Sequence, residues 1–524
     1  MNSKTKLWLP SVADIFFLCA FLRLTLSGDS WLLNDADTGY HIRAGEYILH
    51  NLTVPKHDIF SYIAPPLPWV AHEWLAEVIM GLVHQFAGLT GVVIFFSFLI
   101  ASAYFVLFKF GRSLNCDFAI TALIVLLATA SSSIHWLARP HIFSLLMTIV
   151  WYGVIDTYQS NGRDRLHWLP LLMLLWVNLH GGFITGFVLL GIYLSGNLYD
   201  FLFSVPATSE VAKEKSKRLA IITAVSLLCS LANPRGYDIL LFPFRMVSDQ
   251  FVMENVTEFL SPNFHVVKPF LFLLLLTLGI LAISRKALNA TELMLVLLFT
   301  YMPLYSARYI PLFAVVITPI LLRQIQSRLK AFDNRLARFF RQRSENLELA
   351  DASASRYLWA ILAIVIVCAL ALNGRIEFKF DETSKPVAAV EFLKREKLNG
   401  NMFNNDEFGD YLIYAAWPEY KVFFDGRSDM YGETWGKQYL NIANVQPGWD
   451  RTIEKNHMTW VFSGATSPLS AILLEKKEWH LVYADKVAEI FVKKIPENHF
   501  LIEKYPDIKP VESNEKVMNS SLGS

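Results

Sequence analysis

The chain has 524 residues, 54% of them hydrophobic, 14% aromatic and only 18% charged, against about 25% charged in average soluble domains. Its apolar residues come in blocks separated by polar blocks, which excludes a disordered protein, a disulfide scaffold and an ordinary cytosolic enzyme. The net charge of +1, with no basic stripe interleaved with aromatics, gives no reason to expect nucleic acid as a partner.

In chain order the long apolar runs are 8–27, 89–108, 117–134, 140–158, 167–179, 183–203, 219–232, 267–284, 290–306, 309–323 and 357–373. A span perpendicular to the bilayer takes about 20 residues, so these read as about 11 spans, of which 167–179 and 219–232 are expected to extend into their flanks or to break inside the membrane. The first run has the basic start of a signal peptide, but no small-x-small cleavage site follows it, so it is expected to be retained. Cys19, Cys116, Cys229 and Cys368 all lie in or beside apolar runs and read as small hydrophobes rather than a disulfide or metal framework.

The sequence therefore predicts a polytopic α-helical membrane domain over 1–373 and a soluble α/β domain over 374–505, with a disordered tail over 506–524. Within the first, 28–88 is a polar and aromatic outer loop. There Trp74, Leu75, Val78, Ile79 and Leu82 recur at helical spacing, as in a helix lying at the membrane interface. Residues 324–356 form a basic cytoplasmic linker. In the C-terminal part, strands are expected at 400–404, 421–424, 459–462, 481–483 and 488–492, and helices at 385–394 and 468–477.

Lysine and arginine set the orientation. Lys4, Lys6, Lys109, Arg112, Arg163, Arg165, Lys213, Lys215, Lys217, Arg218, Arg285, Lys286 and the stretch from Arg323 to Arg343 all fall on one side of the expected spans, which should be the cytoplasm. The N-terminus is then cytoplasmic and the C-terminal domain extracytoplasmic, in the inner membrane of a bacterium.

Polar groups at membrane depth are expensive and mark functional sites by default. Five clusters all fall on the non-cytoplasmic side. The first holds Asp35, Asp37 and His41; two carboxylates at i, i+2 can share a divalent cation (Mg or Mn), or one can act as a general base. The bland reading of Asp37 is a helix cap. The second holds His72 and Glu73, with Glu77 one turn on; its tryptophans alone would be explained by interfacial anchoring. Arg139 and His141 form the third, and an arginine there either clamps a phosphate or snorkels to lipid headgroups. Asn178 and His180, followed by Gly181 and Gly182, form the fourth, where the alternative is a bend with a satisfied histidine. The fifth joins Asn233, Pro234 and Arg235 to Glu258, with Arg308 between two later spans.

These residues resemble the GT-C superfamily of membrane glycosyltransferases, and within it a largely uncharacterised prokaryotic group. The most specific match is the first outer loop: Asp35-Ala36-Asp37-Thr38-Gly39-Tyr40-His41-Ile42-Arg43-Ala44-Gly45, Pro55, Asp58-Ile59-Phe60-Ser61-Tyr62 and His72-Glu73-Trp74-Leu75. Ala138-Arg139-Pro140-His141, Trp176-Val177-Asn178-Leu179-His180-Gly181-Gly182, Asn233-Pro234 and Phe424-Asp425-Gly426-Arg427 are also similar to that group.

The resemblance implies a polyprenyl-phosphate-linked sugar donor and a glycan, lipid or protein acceptor at the outer face. It also implies that Asp35 or Asp37 serves as base or metal site, and that Arg139 and Arg308, helped by His141 and His180, hold the donor phosphate. His72 and Glu73 would complete the pocket, supported by His41, Glu77, Asn178 and Glu258. The Trp-Trp-Asp style motif of oligosaccharyltransferases is absent, since Ala415-Ala416-Trp417-Pro418 does not match it; this speaks against transfer of whole oligosaccharides to asparagine. Two other readings stay open: a transporter or flippase of a lipid-linked substrate, which should carry polar residues at span midpoints and on both faces, and a non-catalytic assembly or sensor protein. Asp425-Gly426-Arg427 reads either as an acceptor-binding element or as a turn with an Asp–Arg pair.

Overall fold

The computed structural model describes residues 8–28, 30–284, 286–331, 335–355 and 357–511. Most of the expected tail, 512–524, lies outside the described residues. The chain divides into two compact units. One takes Met1–Leu32, Ala87–Arg245 and Val256–Phe378; the other takes Leu33–Phe86, Met246–Asn255 and Lys379–Ser524. The first outer loop thus groups with the C-terminal residues rather than with the spans that flank it.

The first unit is helical. Each of the eleven apolar runs lies on a helix, and among the described residues four helical stretches are long and apolar enough to cross a membrane: Trp74–Ser113, Phe118–His135, Gly181–Phe203 and Ala307–Lys330. Leu166–Leu179, Pro269–Ile283, Ala290–Tyr305 and Leu358–Leu372 are apolar but shorter. Side chains start these helices where the sequence turns polar. Ser11 and Asp14 form a reciprocal capping box on Val12–Leu26, Asn289 and Glu292 another on Ala290–Tyr305, and Asp117 caps Phe118–Ser132, each satisfying N–H groups that have no partner within the helix.

Large apolar side chains stand exposed along these helices, among them Leu123, Leu126, Phe272, Leu275, Leu278, Ile361 and Val365. Such a surface would drive aggregation in water and is what a bilayer requires. The protein is an integral membrane protein. The buried side of the unit is not purely apolar: Tyr193 donates to Asp156 at 2.9 Å, and Arg323 pairs with Asp156 and, at 3.8 Å, with Glu292. The basic linker is helical over the end of Ile310–Ala331 and over Arg335–Ala352, and leaves the helix at 353–355.

The second unit holds a four-stranded mixed sheet in the order β1-β2-β4-β3, with β1 Asn401–Asn404, β2 Met458–Gly464, β3 Trp479–Ala484 and β4 Ala488–Lys493. β1 and β2 are parallel, and the other neighbours are antiparallel. The parallel pair needs a long crossover, which here carries the helices Asp406–Ala416, Ser428–Ala443 and Trp449–Lys455. Phe403, Phe423, Phe424, Tyr431, Tyr439, Val461 and Phe491 form the centre of its core.

Four of the five expected strands are present, with ends shifted by a few residues. The fifth, 421–424, is not a strand. Asn404 takes the place of a neighbouring strand: its Oδ1 accepts from Phe423 N at 2.7 Å and its Nδ2 donates to Phe424 O at 2.7 Å. Val422 instead forms an isolated bridge with Ser61.

Candidate functional site

In the second unit, the helix Asp37–Asn51 places the first-loop carboxylates. Asp35 Oδ1 accepts from Asp37 N at 2.9 Å, so Asp35 helps to start the helix. Asp37 stands at its first position, where the helix dipole favours negative charge. Ala36, not Asp37, is the residue that precedes the helix, which corrects the simple capping role for Asp37. One turn on, buried His41 places Nδ1 3.2 Å from Glu77 Oε1 and Nε2 3.9 Å from Glu73 Oε2, and His72 Nε2 lies 3.5 Å from Glu73 Oε1. The sequence-predicted His41, His72, Glu73 and Glu77 therefore form one network.

Asp37 also meets the C-terminal residues. Gly426 sits where a Cβ would collide with Asp37 Oδ1 and come within 3.1 Å of Asp410 Oδ2, so only glycine admits this approach. Gly426 N donates to both oxygens of Asp410 at 3.1 and 3.2 Å. Burial, then the charges of Asp37 and Asp425, push the Asp410 carboxyl well above the ordinary carboxylate range, because a like charge nearby disfavours ionisation.

Beside this cluster Arg427 is 1% exposed in its side chain. Its Nε and Nη2 donate to Asp425 at 2.7 and 2.6 Å, and its Nη1 donates to Asp58 at 2.8 Å. The guanidinium lies 4.9 Å from the Phe60 ring centre and 4.7 Å from that of Trp69, within cation–π range. Tyr431 donates to Asp425 Oδ2 at 2.7 Å. Burial pushes the Asp58 carboxyl up, but Arg427 and hydrogen bonds from Phe60 and Ser61 pull it further down, below its ordinary value. The Asp–Arg pair expected for 425–427 is present, although no strand precedes it.

In the first unit, Arg139 and Arg308 meet on one carboxylate. Glu258 Oε1 accepts from Arg308 at 3.1 Å, and Glu258 Oε2 lies 3.7 Å from Arg139. Burial disfavours the charge of Glu258, yet Arg308 and Arg139 hold its carboxyl far below the ordinary range. Ser306 and Ala307 anchor the same turn, donating to Glu258 O and Leu260 O. His141 Nε2 donates to His135 O at 2.8 Å, and the His141 and His180 rings lie 6.4 Å apart.

His180 breaks the helix Leu169–Leu179 with extended backbone, φ −167° and ψ 144°. Its Nδ1 accepts from Gly182 N at 2.9 Å and lies 2.7 Å from Ser144 Oγ, which in turn accepts from Trp176 Nε1 at 2.7 Å. The bend with a partnered histidine, weighed from the sequence as the plain alternative, is therefore present. Asn178 Nδ2 donates to Leu174 O and Ala232 O, and Asn233 Nδ2 donates to Val177 O and Asn178 Oδ1. These two asparagines tie backbone segments together.

Sequence reasoning missed Asp410, Ser144 and His135, and it named Trp176 only as part of the motif that runs to Gly182. Ser144 alone left a trace, one turn from His141 on the same helix; Asp410 lies in a tail helix that the strand pattern did not announce.

No protein-family model matches the chain, and no curated protein sequence matches it. Among solved structures it is similar to the archaeal oligosaccharyltransferase AglB from Archaeoglobus fulgidus in complex with an inhibitory peptide and a dolichol-phosphate. That match has a TM-score of 0.53 and 12% identity, over 86% of this chain and 69% of that one. It is similar also to the Archaeoglobus fulgidus oligosaccharyltransferase tethered with an acceptor peptide, with a TM-score of 0.50 and 12% identity over 86% and 68% of the two chains. The likeness shows the fold: the chain has the fold that these oligosaccharyltransferase structures share.

Proposed function

We propose that this protein transfers a sugar from a polyprenyl-phosphate-linked donor to a glycan, lipid or protein acceptor at the extracytoplasmic face of a bacterial inner membrane. The observation that carries the reading is Asp37, set at the head of a buried helix in an acidic cluster of a chain with the GT-C fold. In this reading Asp37 takes the proton of the acceptor hydroxyl as its oxygen attacks the anomeric carbon. The polyprenyl phosphate departs with the bonding electrons, so it needs charge stabilisation rather than a proton. Arg139 and Arg308 supply that stabilisation, with a hydrogen bond from His180. Asp35 orients Asp37, and the His41, His72, Glu73 and Glu77 network supports the acidic cluster.

A divalent cation at Asp35 and Asp37 would add Lewis-acid positioning of the acceptor. Among the described residues no group of three His, Cys, Asp or Glu side chains forms a ready ligand set; Asp35 and Asp37 would hold such a cation, and the steps above are written for Asp37 as the base.

The test is purified protein with radiolabelled polyprenyl-phosphate sugars. Asp37→Asn should lose on the order of 10²–10⁴-fold in transfer, the usual range for a general base, while folding is kept. Normal transfer by that variant would sink the assignment. Activity should survive EDTA; loss restored by Mg or Mn would return Asp35 and Asp37 to a cation. Reporter fusions at both ends test the cytoplasmic N-terminus and extracytoplasmic C-terminal domain.

A further inference from the structure

We infer that Ser144, Trp176 and Gly182 are a positioning set that fixes His180 as a hydrogen-bond donor through Nε2, for a phosphate oxygen of the lipid-linked donor. The inference rests on the function proposed above and deepens one part of it. A neutral imidazole carries its proton on either nitrogen, and the partner of one nitrogen decides the role of the other. Here the backbone decides. Gly182 N–H can only donate, and it points at His180 Nδ1 at 2.9 Å, so Nδ1 holds a lone pair and the ring proton lies on Nε2.

Ser144 completes the assignment. The indole N–H of Trp176 can only donate, and it reaches Ser144 Oγ at 2.7 Å. The Ser144 hydroxyl proton is then free to turn to His180 Nδ1, 2.7 Å away. The direction of donation runs one way: Trp176 to Ser144 to His180. Ser144 and Trp176 are both buried, so water does not compete for these bonds.

Packing supports the same order. A Cβ on residue 182 would stand 2.5 Å from Ser144 Oγ and 2.7 Å from His180 Nδ1, closer than any side chain tolerates. The second glycine of His180-Gly181-Gly182 thus keeps open the space in which the two side chains meet. The ring so held adjoins His141, and His141 and His135 lie within electrostatic reach of the Glu258, Arg139 and Arg308 group. A fixed donor at this place adds direction to the charge of the arginines, and a pre-aimed donor loses no free energy to reorganisation when charge builds on a leaving phosphate.

The experiment is ¹⁵N NMR of histidine-labelled full-length protein in detergent micelles, with the His180 signals assigned by loss in His180→Gln. The expected wild-type signature is an unprotonated, hydrogen-bonded Nδ1 and a protonated Nε2, with Nε2 perturbed on addition of polyprenyl phosphate. Ser144→Ala should shift the Nδ1 signal and lower kcat for transfer about tenfold with a smaller change in donor KM, as for an interaction that strengthens in the transition state. Gly182→Ala should do the same by displacing the Ser144–His180 bond. Trp176→Phe should have a weaker effect, since it removes only the indole donor. Thermal melting of each variant confirms that it is folded. A protonated Nδ1 in the wild type, no response of Nε2 to polyprenyl phosphate, or unchanged spectra and kcat in Ser144→Ala would each overturn the inference. A protein that turns over no lipid-linked sugar, yet shows the Nε2 signature and its response to polyprenyl phosphate, would refute the transfer reading and leave the positioning set standing.

Discussion

Two charge centres in this molecule are mirror images in composition and differ in access. In the second unit one arginine, Arg427, lies between two carboxylates, Asp425 and Asp58. In the first unit one carboxylate, Glu258, lies between two arginines, Arg308 and Arg139. The Arg427 side chain is 1% exposed, bonded through three nitrogens and covered by aromatic rings. Glu258 and Arg308 are 24% and 25% exposed in their side chains, and the Arg139 contact is 3.7 Å. A closed, saturated centre holds structure. A half-open one with an excess of positive charge can exchange its carboxylate for another anion, such as a phosphate.

Breaking the closed centre should have the largest effect. Arg427→Met leaves two buried carboxylates without their cation, which costs about 3–5 kcal/mol; chemical unfolding in detergent reads this, and a loss under about 1 kcal/mol would show that the centre is not the lock described. Gly426→Ala comes next. It forces a methyl group against Asp37 and Asp410 and should cost about 1–3 kcal/mol by overpacking, together with transfer activity; full activity at native stability would show that the Asp37–Asp410 approach is dispensable.

Sharpening the open centre calls for a gentler change. Glu258→Gln removes the competing negative charge, so the donor KM should fall about fivefold, equivalent to about 1 kcal/mol. A higher KM would mean that Glu258 positions the arginines rather than competing for them.

The smallest effect is expected at Glu489 on β4, whose two carboxylate oxygens are buried without a hydrogen-bond partner among the described residues. Burial pushes the pKa of its carboxyl above the ordinary value, so the folded protein holds a proton that the unfolded chain releases. Stability should then fall as pH rises from the ordinary carboxylate range through the raised one. Melting of the full chain between pH 4 and 8 should show that slope in the wild type and lose about 1 kcal/mol of it in Glu489→Gln; parallel curves would place a partner on Glu489.

The residues of these centres were unequally legible in the sequence. Helices followed directly from the apolar blocks, because a lipid-facing helix is apolar all round and needs no periodicity to be seen. Asp37, Glu73, Arg139 and His180 stood out because a polar group beside a span is costly. Arg139, Arg308 and Glu258 were named singly, but that two arginines share one carboxylate is a matter of tertiary contact between segments far apart in the chain, Arg308 being 50 positions from Glu258 and Arg139 farther still. Asp410 was hidden for a different reason. In a water-facing helix an aspartate is ordinary, and only burial against Gly426 and Asp37 gives it meaning. The expected strand at 421–424 failed because an asparagine side chain, Asn404, took the hydrogen bonds that a neighbouring strand would have made.

The Arg427–Asp58 bond joins residues 369 positions apart. At about 5–20 residues per second, the ribosome adds the arginine on the order of 20–70 s after the aspartate. During that interval the first loop has been made but its buried carboxylate has no cation, so the Asp37 cluster cannot take its final form until nearly the whole chain is synthesised. The loop is therefore a client of its own distant C-terminal residues.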